Sequence, residues 1–410
     1  MKVAYALASG AALVGTSDAF VAPAAVRSPL QQQRTSSRPN VVMAATAEKP
    51  ATSKEAQAVP GGVMTLSRYM LDQARINTDY QDLEQLMGSI QYACKTIANL
   101  VSRAGISDLT GLQGDGGSVN VQGEEQKKLD VISNDVLKNA LRSSGKLGVI
   151  ASEEEDTPVL VEEAFNSKFV AVFDPLDGSS NIDAAISTGT IFGIFEETEE
   201  CIVDDDADMD EASQVCLEAA WSPQPAQDLA AWSPGYCMYS SSTILVFTMG
   251  DGVNGFTLDP QIGEFVMTHP NIQVPKRGKI YSFNEANSPD WPENLQTYVT
   301  DLKNGDGESG EKYSSRYIGS MVGDVHRTLL YGGIFGYPGD INNPNGKLRL
   351  LYEGAPMAFI CEQAGGMATT GTQRVMDINP EKVHQRVPTY LGSAEDVTEL
   401  INALKKEKAE

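Results

Sequence analysis

Residues 169–181 read Phe-Val-Ala-Val-Phe-Asp-Pro-Leu-Asp-Gly-Ser-Ser-Asn, and no other stretch restricts the fold so tightly. Five apolar, mostly β-favouring residues describe a strand buried on both faces, which belongs inside an α/β sheet. Asp174 and Asp177 leave the strand end three residues apart. Pro175 stiffens the turn between them and removes one N–H. Gly178, Ser179 and Ser180 suit a tight turn and a helix N-cap, where exposed backbone N–H groups can hold a phosphate. Two carboxylates would repel that phosphate unless cations lie between them. The chemistry that fits is a hard divalent metal bridging acid and phosphate. A plain acidic turn capped by serine has the same letters, so the neighbours must decide.

The chain has 410 residues with 31 basic against 55 acidic side chains, a net charge of −24. That length accommodates two domains or one large α/β unit. The acidic balance argues against a nucleic-acid partner, and no stretch beyond the leader is long enough to span a membrane. Residues 1–20 read as a signal peptide, with an apolar run at 3–14 too short for a transmembrane helix. Residues 21–45 carry Arg27, Arg34 and Arg38 and no acid, which is the composition of a transit peptide. The pair, with Phe20 at the junction, resembles the two-part leader of proteins imported into the plastids of secondary endosymbiotic algae. Residues 46–62 read as a linker.

Helical spacing predicts a helix over 65–76 and a clearer one carrying Leu83, Leu86, Met87, Ile90, Cys94, Ile97 and Val101 on one face, stopped by Gly105. A Gly-rich loop spans 109–123, and a helix opens near Gly123 with Asp130 about two turns in. A strand at 147–151 ends in Glu153, Glu154, Glu155 and Asp156, an acidic cluster that requires a cation or solvent. It precedes the strand carrying Asp174, so two acid-bearing strand ends are expected at one sheet edge. Residues 196–211 contain many acids and no base, which marks an exposed insertion. A strand at 243–249 and a following meander lead to a strand at 280–283 and a helix near 291–302. A helix over 322–331, strands at 333–337 and 387–391, and a helix beginning at Pro356 follow. Ser393 and Asp396 form a box-like cap on a final helix.

Four motifs identify a family. Asp174-Pro-Leu-Asp-Gly-Ser-Ser-Asn-Ile-Asp183, Lys127-Lys-Leu-Asp130, Tyr281-Ser-Phe-Asn-Glu285 and Gly346-Lys-Leu-Arg-Leu-Leu-Tyr-Glu353 together resemble the class I fructose-1,6-bisphosphatases over about residues 63–407. The first motif alone reaches only the wider sugar and inositol phosphatase superfamily. The resemblance implies a layered α-β-α-β-α fold. It divides the chain into residues 63–275, with the metal site and a redox insertion at 196–220, and residues 276–407, with the sugar-phosphate site. It implies hydrolysis of the 1-phosphate of fructose 1,6-bisphosphate in the Calvin cycle and gluconeogenesis. Glu153, Asp174, Asp177, Glu353, the Leu176 carbonyl and, with a longer stem than the Asp often found there, Glu124 are the implied ligands of two or more Mg2+, for which Mn2+ can substitute. Asp130 and Glu154 match the residues that orient and deprotonate the attacking water. Gly178, Ser179 and Ser180 would hold the 1-phosphate, with added charge from Arg349. Asn284, Tyr317, Tyr337 and Lys347 would hold the 6-phosphate and furanose, and Arg316 would reach the 6-phosphate of a neighbouring subunit in a homotetramer. Asn287 stands where many members carry Tyr.

Plastid members carry an acidic, cysteine-bearing loop reduced by thioredoxin, and Cys201 and Cys216 are the implied pair; the third loop cysteine usual there is missing. Cys94, Cys237 and Cys361 read as buried thiols. Residues 77–82 depart from the pattern by which cytosolic relatives bind AMP, so AMP inhibition is expected to be weak or absent. The rival readings are sedoheptulose-1,7-bisphosphatase and a catalytically idle, redox-responsive sugar-phosphate binder. The expected location is a plastid stroma.

Overall fold

The computed structural model describes residues 62–114, 125–161, 167–197 and 233–406. Glu124, Cys201, Cys216 and the leader lie outside these residues. The described residues form one compact unit, built as five layers.

The first layer holds α1 (Leu66–Ile76), α2 (Tyr80–Ser102) and α3 (Lys128–Arg142). The second is an eight-stranded sheet of β1 (Leu147–Ser152), β2 (Val159–Leu160), β3 (Phe169–Asp177), β4 (Thr188–Glu196), β5 (Gly235–Tyr239), β6 (Thr243–Thr248), β7 (Val253–Asp259) and β8 (Glu264–His269), in the order β2-β1-β3-β4-β5-β6-β7-β8. Later in the chain come β9 (Ile280–Ser282), α4 (Glu293–Asn304), β10 (Ser314–Ser315), α5 (Met321–Tyr331), β11 (Ile334–Tyr337), α6 (Ala355–Gln363), β12 (Met367–Thr369), β13 (Thr389–Gly392) and α7 (Ala394–Leu404). Their strands form a second sheet, ordered β10-β9-β11-β13-β12. Helices α5 and α6 pack between the two sheets, and α4 and α7 cover the outer face of the second. The expected α-β-α-β-α layering is therefore present.

Strand β3 explains why. All nine of its residues are buried. Phe169, Ala171 and Phe173 point into the core under α1–α3, while Val170 and Val172 point into the core between the sheets. Period-two alternation here separates two apolar cores rather than core from solvent. Each of these large side chains contributes about 1.5–3 kcal/mol by its burial. A third core, with Phe283, Leu295, Val299 and Leu400, lies between the second sheet and α4 and α7.

Strands β1 and β3 are parallel neighbours, so both acid clusters leave the same sheet edge. The apolar face expected for α2 is buried, apart from half-buried Val101. Three expectations are corrected. Helix α2 ends at Ser102, short of Gly105. Asp130 lies in the first turn of α3 rather than two turns in: its Oδ2 accepts the Lys127 N–H at 2.7 Å, because an orphan donor at a helix start attracts a nearby carboxylate. Ser393 precedes α7 but its side chain does not cap it. Its Oγ instead accepts the Gly333 N–H at 2.9 Å, and Asp396 accepts the Gly278 N–H and the Tyr313 hydroxyl. Long-range donors outcompeted the local cap. Among the described residues, no helix is long and apolar enough to cross a membrane.

Candidate active site

The site forms where β1 and β3 end. Oxygens of Asp174, Asp177 and Glu353 lie within 4.8 Å of one another, and all three residues are buried. Asp174 Oδ1 accepts the Leu176 N–H at 2.9 Å across Pro175. The Pro175 carbonyl is fixed in turn by the Thr190 hydroxyl at 2.8 Å. Glu353 comes from a π-helical turn, Leu350–Gly354, that leads straight into α6. Its Oε2 accepts the Arg349 N–H at 2.5 Å. The wider π-turn adds a residue to the helical circuit, a feature common at functional sites.

Asp177 receives three donors from one place, the start of α5. The Ser320 hydroxyl reaches Oδ2 at 2.6 Å, the Val322 N–H reaches Oδ2 at 3.0 Å, and the Met321 N–H reaches Oδ1 at 3.1 Å. A carboxylate has about four lone-pair sites, so these contacts leave little beyond one open position on Oδ1. Gly178, with φ at +73°, lets the chain turn close past this helix start; a Cβ there would lie 2.7 Å from the Ser320 Cβ.

Crowding of buried acids shows in their acidity. Burial first, then the charges of Glu153, Asp177 and Glu353, push Asp174 well above the usual carboxylate range. Burial raises Asp177, and the Ser320 hydroxyl with the two N–H groups pulls it back. Burial raises Glu353 to about 8 against the opposing Arg349 charge. Such a set stays fully charged only with a cation among its oxygens. Hard oxygen donors at this spacing suit Mg2+ or a like ion, so these residues fit the expected metal.

Arg349 is buried and spans the acids, 3.2 Å from Glu153 and 3.9 Å from Glu353. Glu154 accepts the Gln126 amide. Asp130, also buried, is raised to about 7 by burial, opposed first by the Lys127 N–H and, more weakly, by a bond from the Ser179 hydroxyl. Ser179 therefore lies against Asp130. It opens a 3₁₀ turn, Ser179–Ala184, rather than an α-helix.

Of the residues expected to hold the sugar, half-buried Asn284 follows β9, whereas Arg316 and Lys347 are exposed. The Arg316 Nη1 donates to the Ser315 carbonyl at 2.7 Å. Tyr317 is 38% exposed; the buried part of its ring, then Tyr337, Asp324 and Asp177, raise its hydroxyl above the usual range. Reading the sequence alone missed Gln126, Ser320, Asp324 and Arg327. Only Ser320, three residues before Gly323 whose N–H it accepts at 3.3 Å, carried a local cap signal.

Profiles of the fructose-1,6-bisphosphatase N-terminal and C-terminal domains match residues 64–270 and 274–405. The chain belongs to the fructose-1,6-bisphosphatase family. It is 56% identical over 362 residues to the chloroplastic fructose-1,6-bisphosphatase of Brassica napus, covering 87% of this chain and 86% of that protein. The Spinacia oleracea chloroplastic enzyme is also 56% identical, with 87% and 85% covered. The Leishmania major fructose-1,6-bisphosphatase in holo form superimposes with a TM-score of 0.75 at 42% identity, over 84% of this chain and all of that one. At this identity the family's activity comes with the membership: the chain is a phosphoric monoester hydrolase of the chloroplast fructose-1,6-bisphosphatase type.

Proposed function

We propose that Asp174, Asp177, Glu353, Glu153 and the Leu176 carbonyl hold two or more Mg2+ ions, with Glu124 as a further ligand, and that the chain uses them to release the 1-phosphate of fructose 1,6-bisphosphate. The convergence of three buried carboxylates from β3 and the π-turn supports this reading most. When bound, the metal neutralises the ester oxygens and makes water more acidic. Gly178, Ser179 and Ser180 cradle the phosphate that leaves. Asp130 and Glu154 hold the attacking water and take its proton. Arg349 keeps Glu153 and Glu353 apart and adds positive charge beside the reacting group. Asn284, Tyr317, Tyr337 and Lys347 bind the 6-phosphate and furanose, and Arg316 extends to a neighbouring subunit of a tetramer. Its exposure supports that reach.

The same reading places the enzyme in a plastid stroma, entered by the two-part leader, with Cys201 and Cys216 forming a disulfide that thioredoxin reduces. The chloroplast location of the named relatives supports the first part. Phosphate release with Mg2+ from fructose 1,6-bisphosphate and from sedoheptulose 1,7-bisphosphate tests the substrate. The account expects the first to be turned over faster, and preference for the seven-carbon ester would replace it.

A further inference from the structure

The start of α5 does more than satisfy Asp177. Asp324, one turn into the helix and fully buried, accepts the Ile318 N–H at 3.0 Å and the Gly319 N–H at 3.2 Å. It also accepts the Arg327 Nη2 at 2.5 Å. That same nitrogen donates to the Arg316 carbonyl at 2.9 Å and to the Ser282 hydroxyl. The first two turns of the helix therefore grip three things. Ser320, Met321 and Val322 hold a proposed metal ligand. Asp324 holds the backbone just after Tyr317. Arg327 holds the backbone of Arg316 and the end of β9, two residues before Asn284. Two of these partners are distant in sequence, Asp177 at 143 positions from Ser320 and Ser282 at 45 from Arg327, whereas the stretch from Arg316 to Gly319 leads directly into the helix.

We propose that the first two turns of α5 form a rigid strut that fixes the distance between the metal site and the distal-phosphate site, with Ser320 and Asp324 as positioning residues for the reaction. Neither residue is among those assigned to the substrate above. Ser320 orients Asp177 so that its open lone pair faces the other acids. Asp324, with Arg327, sets the strand segment that presents Arg316 and Tyr317. A sugar bisphosphate has a fixed span between its phosphates, so a displacement at either end of the strut misplaces the scissile ester relative to its metal.

The proposal rests on the metal and sugar assignments above, and its test separates the two. Full-length wild type, Ser320→Ala, Asp324→Asn and a control, Ser393→Ala, are compared for the Mg2+ concentration giving half-maximal rate, the KM for fructose 1,6-bisphosphate and the thermal midpoint. Ser393 is equally buried and holds the Gly333 N–H, but lies outside the strut. Ser320→Ala is expected to raise the half-saturating Mg2+ at least about fivefold with KM changed less than about twofold, one lost charged hydrogen bond being about 10-fold. Asp324→Asn is expected to raise both constants. Ser393→Ala lowers the midpoint and leaves both constants unchanged. If both strut variants lose thermal stability as the control does while both constants stay within twofold of wild type, the strut is merely structural and the proposal fails. If Asp324→Asn does not fold, the Ser320→Ala Mg2+ constant alone decides. Absence of Mg2+-dependent turnover in wild type would instead overturn the functional reading.

Discussion

Asp174, a proposed metal ligand, is a liability in the bare protein. Buried among Glu153, Asp177 and Glu353, it is strongly disfavoured as an anion there, and the proposed divalent ion would relieve that repulsion. Asp174→Asn removes one charge and one ligand at nearly constant volume. It is expected to lower kcat about 10²-fold or more while keeping sugar-bisphosphate binding, measured by phosphate release and by calorimetry. His326 illustrates burial without catalysis. Its Nδ1 pairs with the Tyr236 hydroxyl at 2.8 Å, and burial, then nearby His269, lower its pKa from 6.5 to about 4. The fold thus favours neutral imidazole. Its contribution is fully present above pH 6.5 and is lost as pH falls toward 4, because the unfolded chain takes the proton first. The difference is worth about 3 kcal/mol. His326→Gln is expected to lose less stability than wild type between pH 7 and 4.5, read from urea midpoints. An equal loss would reassign the acid sensitivity elsewhere.

At the scale of elements, what could be read from sequence depended on how far away the partners lie. Strand β3 was legible because nine consecutive residues carry its burial and its acids together. The parallel pairing that brings Glu153 to the same edge followed from the second strand–acid pattern. Glu353 was named through resemblance alone, since a π-turn leaves no periodic signal in the sequence and its acid sits among apolar letters like any helix acid. The seating of Asp177 on α5 was not legible at all, nor was the loss of the Ser393 cap to Gly333, because both depend on donors brought close only by tertiary packing. The turn at Gly178 joins the local and distant levels. An alanine there meets a left-handed backbone and the Ser320 side chain at once. Gly178→Ala is expected to destabilise the protein by about 1–3 kcal/mol and to lower activity by more than the stability loss explains. Retained activity at the wild-type level would show that the turn tolerates a shift away from α5.

Among the described residues, the two sheets share the helical layer of α5 and α6, and that layer connects the acid edge of the first sheet with the proposed sugar-side loops of the second. The insertion between β4 and β5, which carries the proposed redox pair, lies outside the described residues. Cys94, Cys237 and Cys361 are buried free thiols, and burial raises Cys237 and Cys361 away from reactivity. The proposed exchange therefore stays with Cys201 and Cys216, the pair the resemblance implies. Activity of the oxidised wild type is expected to rise on dithiol treatment, and Cys201→Ser is expected to show the reduced-state activity with or without dithiol. Full activity of oxidised wild type would remove the switch. The central claim, that acids from separate elements meet to share metal, is tested most directly by anomalous diffraction from Mn2+-soaked crystals. The account predicts density bonded to oxygens of Asp174, Asp177 and Glu353 at about 2.0–2.2 Å. A catalytically active crystal with no such density among these three residues would contradict it.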